Sequence, residues 1–242
     1  MKSGRISVVV PCFNEEKTIY FNLKNIFDYL NNRFHDFELI AVNDGSADKT
    51  LEKLRRFQKE FPIRIIDNQP NEGKGKAVQR GILKSRFETV MFLDADLGIP
   101  IEELDGFLEE VKNGFDLVIA SRFVPGLKIL RPVVWHRRIM EKIFRLLRII
   151  IINIWNIKDT QCGFKVFRRE AAMKIFSRLT VKRFAFDAEV IFLANKFGYK
   201  MKELPISLQN PPESHIRLVR DPLNMTWDLL RIRVNDWRGK YK

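Results

Sequence analysis

Five short apolar runs, each followed by a stretch with helical spacing, fill the first 121 residues. This alternation limits the fold more than any other feature of the chain. Ile6–Val10 is β-branched and ends at Pro11, and Phe37–Val42, Ile63–Ile66, Thr89–Leu93 and Leu117–Ala120 repeat the pattern. Between them Ile19, Leu23, Ile26, Phe27 and Leu30 recur at helical intervals. Asp48 caps a predicted helix reaching about Glu60. Two further helices are predicted over 75–86 and from Pro100 to Lys112. Strands apolar throughout, alternating with amphipathic helices, need both sheet faces covered. The fold class predicted is therefore α/β, with a mostly parallel, Rossmann-like sheet flanked by helices.

Open sheets of this kind bind ligands at the carboxyl ends of their strands. The polar residues at those ends are Asn14 and Glu15, Asp44, Asp67, Asp94 and Asp96, and Arg122. The fourth position is the most informative. Asp94-Ala95-Asp96 stands where an apolar strand breaks into a loop, and two carboxylates so placed can hold a hard divalent cation, which can in turn hold a diphosphate. An Asp-rich turn at a strand end is the plain alternative. The convergence of five strand ends on one rim favours the binding site.

Charge divides the chain. Residues 1–120 carry 17 Lys and Arg against 20 Asp and Glu, net −3; residues 121–242 carry 26 against 10, net +16. The acidic half holds the carboxylate motif, and the basic half suits an anionic partner: a diphosphate, an anionic membrane surface or nucleic acid. No nucleic-acid-binding motif is present, and the acidic strand ends would repel a phosphate backbone. Nucleic acid is therefore not expected as a partner.

The basic half contains two amphipathic segments. Residues 131–156 form a predicted helix with Ile139, Ile143, Leu146 and Leu147 among Arg137, Arg138, Lys142, Arg145 and Arg148. Residues 221–242 place Leu223, Trp227, Leu230, Val234 and Trp237 among Arg231, Arg233 and Arg238, with Asp221-Pro222 as a helix start. Each can lie in a membrane interface with its cations reaching head groups, or pack internally. No run of eighteen apolar residues exists to span a bilayer. The first five residues lead into a strand rather than a secretory leader, and Cys12 and Cys162 form no disulfide or metal pattern. A cytoplasmic enzyme attached peripherally to a membrane is the expected setting.

Several segments resemble the inverting nucleotide-sugar glycosyltransferases of family 2. They are Val10-Pro11-Cys12-Phe13-Asn14-Glu15-Glu16, Val42-Asn43-Asp44-Gly45-Ser46, Asn71-Glu72-Gly73-Lys74-Gly75-Lys76, and Asp94-Ala95-Asp96. Asp159-Thr160-Gln161-Cys162-Gly163-Phe164-Lys165 and Arg183-Phe184-Ala185-Phe186-Asp187-Ala188-Glu189 resemble the dolichyl-phosphate β-glucosyltransferase branch, sister to the dolichyl-phosphate mannose synthases. The resemblance runs from about residue 5 to about residue 236. It implies a GT-A fold and transfer of a hexose, most simply glucose from UDP-glucose, to a polyprenyl or dolichyl phosphate in protein glycosylation. The alternative within the family is GDP-mannose as donor.

The resemblance places Pro11, Glu15 and Asp44 around the nucleotide base and ribose, and Asp94 and Asp96 at the metal and diphosphate. Asn14, Lys74 and Ala95 complete the expected nucleotide-sugar site. The metal is expected to be Mg²⁺ or Mn²⁺, with Asp96 the first ligand. Arg122 is expected to stabilise the departing diphosphate through its bidentate fork. Arg131 and Arg217 are candidates for the acceptor phosphate. A phosphate acceptor is already anionic, so no dedicated base is required. Asp187 and Glu189 stand roughly 200° apart on a helix, so one faces the site; Asp187 is favoured, contacting sugar hydroxyls or orienting the donor. Two departures are Gly98, where the mannose-synthase branch has a metal-binding Gln, and His215, where the family has a Lys. The expected division is a catalytic domain over 1–220, split into a nucleotide half (1–121) and an acceptor half (122–220), followed by a basic helix over 221–242.

Overall fold

The computed structural model describes residues 4–126, 128–129, 135–208 and 220–242. Strand β1 (Arg5–Cys12) leads to helix α1 (Ile19–Arg33), β2 (Asp36–Asp44), α2 (Thr50–Glu60), β3 (Arg64–Asn68), α3 (Lys74–Leu83) and β4 (Thr89–Leu93). A 3₁₀ turn (Ile101–Glu103) opens α4 (Leu104–Lys112), and β5 (Leu117–Ser121) follows. The second half contributes β6 (Lys128–Ile129), α5 (Trp135–Ile152), β7 (Phe164–Arg168), α6 (Arg169–Ser177), α7 (Phe186–Lys196), β8 (Met201–Pro205), β9 (Ser207–Leu208) and α8 (Arg220–Trp237).

Seven strands form one sheet in the order β3-β2-β1-β4-β7-β5-β8. All neighbours run parallel except β7, which is antiparallel to both β4 and β5. The order turns back at β1, whose neighbours are β2 and β4, so the ends of β1 and β4 flank the topological switch point. β6 and β9 pair as a separate parallel ribbon.

Alternation along β1 explains the layers. Ile6, Val8 and Val10 point to one face, which α1, α2 and α4 cover with Leu23, Ile26, Leu54, Phe57, Leu104 and Phe107. Val9 points to the other face, under α3, α6 and α7, where Ala77, Val78, Phe176, Val190 and Leu193 are buried. The strands needed apolar residues on both sides because both sides are covered, as the continuous runs predicted. Helix α3 lies so close to the sheet that a Cβ on Gly81 would come 2.3 Å from Val9 Cγ1.

The predicted helix starts shift slightly. Asp48 holds the entry to α2, its Oδ1 accepting from the Thr50 N–H at 3.0 Å and the Thr50 hydroxyl at 2.6 Å. Asp221 and Pro222 lie inside the first turn of α8 rather than at its cap, since that helix already includes Arg220. Helix α8 packs against α5 and α7, burying Leu229 and Ile232. After α8 the chain turns inward: Tyr241 is buried, and its hydroxyl meets the Glu189 carboxylate. No helix among the described residues is long and apolar enough to cross a membrane.

Candidate active site

The loops after β1 and β2 are tied together before they reach the switch point. Asn14 adopts a left-handed φ of 56°; its N–H donates to Ser46 Oγ at 3.0 Å, and its Oδ1 accepts from the Ala47 N–H at 2.9 Å. The Glu15 and Glu16 N–H groups donate to Thr50 Oγ1 (2.7 Å) and Asp48 Oδ2 (3.1 Å). Pro11 lies near the end of β1 beside them. This lacing fixes one wall of the crevice.

Asp44, expected at the nucleotide, also organises the neighbouring loop. It is buried, and its carboxylate accepts from the Glu72 N–H (3.1 Å), the Gly73 N–H (2.8 Å) and Asn71 Nδ2 (2.9 Å). Buried carboxylates need donors, and the loop between β3 and α3 supplies them. Asp44 thereby fixes the turn at Gly73, which takes a φ of 103°, and delivers Lys74 as the first residue of α3. Asp67 likewise turns to a neighbour, accepting from Asn43 Nδ2 at 2.7 Å.

The Asp-Ala-Asp loop forms the opposite wall. Asn22 Nδ2 on α1 donates to the Ala95 carbonyl at 2.7 Å, and Ala95 is buried. The Asp94 N–H donates to the Gly163 carbonyl at 3.0 Å. The Gly98 N–H donates to Asp96 Oδ1 at 3.0 Å, closing a turn through Leu97 at φ 49°. Burial raises the Asp96 carboxyl above its ordinary pKa, and the neighbouring Asp94 charge adds to the effect.

Lys74 crosses the crevice to this loop, its Nζ 2.5 Å from Asp94 Oδ1. Burial acts to lower the Lys74 ammonium, but Asp94 and then Asp187 outweigh it and hold the group above its usual value. Asp187, at the start of α7, is buried and ion-paired to Lys165, a fully buried residue of β7 that also donates to the Cys162 carbonyl at 2.7 Å. Burial raises the Asp187 carboxyl, opposed by Lys165 and Lys74. The structure thus brings together Lys74, Asp94, Asp96, Lys165 and Asp187 from α3, β4, β7 and α7. Glu189 faces elsewhere, as the helical angle requires. It accepts from the Thr180 N–H and hydroxyl, the Val181 N–H and the Tyr241 hydroxyl.

Arg122, expected to stabilise the departing diphosphate, has carboxylate partners within the protein. Its Nε and Nη2 grip Asp159 at 2.7 and 3.1 Å, and Nη1 reaches Glu141 on α5 at 2.8 Å. Through these two carboxylates the guanidinium joins the end of β5 to α5 and to the loop before β7. Burial would lower its pKa, but Asp159 holds it above the ordinary value. Arg131, Arg217 and His215 lie outside the described residues.

Lys165 and Asp159 were not assigned roles from the sequence. A signal was present at Lys165: a cation between Phe164 and Val166 in an apolar run, where burial without a carboxylate partner is costly. Among the described residues, no third acidic, His or Cys side chain joins Asp94 and Asp96 in a metal-holding cluster.

Known proteins resemble this chain in sequence and in fold. The model of glycosyl transferase family 2 matches residues 7–176. A dolichyl-phosphate beta-glucosyltransferase of Trichomonas vaginalis is 34% identical over 98% of this chain and 75% of its own length. The human protein of that name is 31% identical over 98% of this chain and 78% of its own. Among solved structures, glucosyl-3-phosphoglycerate synthase from Mycobacterium tuberculosis, in complex with Mn²⁺, UDP and phosphoglyceric acid, superposes with a TM-score of 0.63 at 18% identity, covering 99% of this chain and 79% of that one. Mannosyl-3-phosphoglycerate synthase from Rubrobacter xylanophilus gives 0.65 at 18% identity, covering 98% and 75%. The mostly parallel sheet, the acidic loop at its switch point and the match across most of the chain place this protein in glycosyl transferase family 2.

Proposed function

We propose that this protein transfers glucose from UDP-glucose to dolichyl or another polyprenyl phosphate at a membrane surface, with inversion at the anomeric carbon. The observation that carries the reading is the acidic loop Asp94–Asp96 at the switch point, faced by Lys74 and backed by Asp187. It is a charged, partly buried crevice suited to a sugar diphosphate. The near full-length relatives named dolichyl-phosphate beta-glucosyltransferase support the acceptor and the sugar.

The acceptor phosphate oxygen forms the new bond to the anomeric carbon as the bond to the diphosphate breaks, and UDP leaves with the electron pair. No proton has to be removed from the acceptor, so the site needs no general base. The chain's residues bind and orient: Asp187, locked by Lys165, shapes the sugar side, while Asn14, Glu15 and the Gly73 turn frame the nucleotide side. Arg122 acts as a positioning residue, holding α5 against the end of β5.

Asp94 and Asp96 offer hard oxygen donors that fit Mg²⁺ or Mn²⁺. Burial, and then the Asp94 charge, raise the Asp96 carboxyl, and a bound cation would favour its ionised form. With two carboxylates at hand, such a cation would complete its shell with diphosphate oxygens and water. When bound, it would neutralise charge on the departing diphosphate.

The basic half supplies a docking face. Ile143, Leu146 and Ile150 on α5 and Leu223, Trp227, Leu230, Val234 and Trp237 on α8 are large apolar side chains left exposed, as is Trp155 just beyond α5. Two packed helices presenting apolar and Trp side chains amid Arg and Lys suit the interface of an anionic membrane. Calorimetric titration with UDP-glucose and GDP-mannose, each with Mn²⁺, tests the donor. Preference for UDP-glucose supports the glucosyl reading, and preference for GDP-mannose transfers the chain to the sister branch.

A further inference from the structure

The acidic loop is not symmetric. Asp94 is held on two sides: its carboxylate fills the space beside Gly163, where a Cβ would lie 2.1 Å from Asp94 Oδ2, and its Oδ1 faces Lys74 Nζ at 2.5 Å. Asp96 instead accepts a backbone N–H, from Gly98. The nearby Asp187 has its own cation in Lys165, which is fully buried and cannot move toward the loop without breaking its bond to the Cys162 carbonyl. The direct contact of Lys74 is with Asp94, and its charge bears less on Asp187 and Asp96.

Lys74 is held in place by its backbone. It opens α3, and the turn before it is fixed by the Gly73 N–H on Asp44 at 2.8 Å. The Lys76 N–H reaches the Lys182 carbonyl at 3.1 Å, tying the same turn to the segment before α7. An ammonium so anchored, on a side chain only 23% exposed, opposes any second cation at Asp94.

We propose that Lys74 is a built-in counter-cation for Asp94. The acidic pair then presents only Asp96 to a free divalent cation, and the cation binds firmly only together with the donor diphosphate. This inference rests on the reading that the pair serves a metal. It assigns Lys74 a role in setting the order of assembly, in addition to any contact with the nucleotide. The diphosphate contributes the oxygen ligands that Asp94 withholds, so the site is loaded when there is a donor to activate.

The test is titration of the full chain with Mn²⁺, following free Mn²⁺ by electron paramagnetic resonance, with and without UDP. Lys74→Met and Lys74→Gln remove the charge, and Lys74→Arg keeps it. The wild-type protein and Lys74→Arg should bind Mn²⁺ weakly alone and much more tightly with UDP. In Lys74→Met and Lys74→Gln the affinity for Mn²⁺ alone should rise about tenfold or more, shrinking the gain that UDP provides. A merely structural lysine would not tighten metal binding when removed. Unchanged or weaker Mn²⁺ binding by both uncharged variants overturns the inference while leaving the metal reading intact, provided UDP still promotes binding. Absence of Mn²⁺ binding by every form, with and without UDP, overturns both.

Discussion

Gly163 has no room for a side chain because Asp94 occupies the space: a Cβ there would stand 2.1 Å from Asp94 Oδ2 and 2.3 Å from its Cγ. The Gly163 carbonyl also accepts the Asp94 N–H at 3.0 Å. The segment leading into the antiparallel strand β7 is thus the backing plate for the acidic loop. Gly163→Ala should push the Asp94 carboxylate away from Lys74 and cut turnover by at least about tenfold, since small misplacements of site groups are costly. Far-UV circular dichroism should show the fold retained. Wild-type turnover in Gly163→Ala would show that the position of Asp94 is not critical.

Arg122 joins three elements through Asp159 and Glu141. Arg122→Lys cannot reproduce the bidentate grip, and should destabilise the protein by about 1–3 kcal/mol. Thermal unfolding would register this as a loss of about 2–4 °C per kcal/mol for a chain of this size. If Arg122 instead serves the diphosphate alone, the variant would lose activity with an unchanged melting temperature.

At the opposite end of the sheet Glu38 is buried and accepts from Ser7 Oγ (2.7 Å), Arg64 Nη1 (2.7 Å) and the Arg86 N–H (2.6 Å). Burial alone would raise its pKa, but Ser7, Arg64 and Arg86 together hold it below the ordinary value. A carboxyl depressed on folding stabilises above its unfolded pKa of roughly 4.3 and loses that contribution as the pH falls through the folded value. Glu38→Gln should therefore lower the melting temperature at pH 7 and converge with the wild type in strong acid. A gap of the same size at both pH values would contradict the assignment.

Trp227 and Trp237 stand 70% and 76% exposed on α8. Substituting both with Ala should weaken cosedimentation with vesicles containing anionic lipid while leaving UDP-glucose binding near the wild-type value. Leu229 and Ile232 on the same helix are buried, and replacing those with Ala should instead cost stability, about 2–5 kcal/mol for Leu229. Equal loss of vesicle and donor binding in the Trp variant would point to a folding role for this helix.

Much of the nucleotide half was legible from periodicity. Ile6–Val10, Phe37–Val42 and Thr89–Leu93 are apolar on both faces, and only a sheet covered on both sides requires that. Strand β7 was not legible, because Lys165 interrupts its apolar run and its partners β4 and β5 are distant in sequence. The membership of the acidic loop was readable at Asp94 and Asp96. The internal partners of Asp44 and Arg122 were not, since a charged side chain near a strand end reads the same whether it meets a ligand or a buried partner. Those partners, the Gly73 N–H and the Asp159 carboxylate, come from segments distant in sequence. Asp187 and Glu189 have different partners, Lys165 and Thr180, a divergence that helical angle predicts because that geometry is local.

The central claim is sugar transfer to a lipid phosphate by a metal-assisted acidic loop. The most direct measurement is labelling of a polyprenyl phosphate in detergent from radiolabelled UDP-glucose, with Mn²⁺, with Mg²⁺ and with EDTA, for the wild type and Asp96→Asn. The account predicts lipid labelling with a divalent cation, its loss in EDTA, and a fall of at least about a hundredfold in Asp96→Asn with the fold intact. Undiminished labelling in EDTA, or near-normal rates in Asp96→Asn, would contradict it.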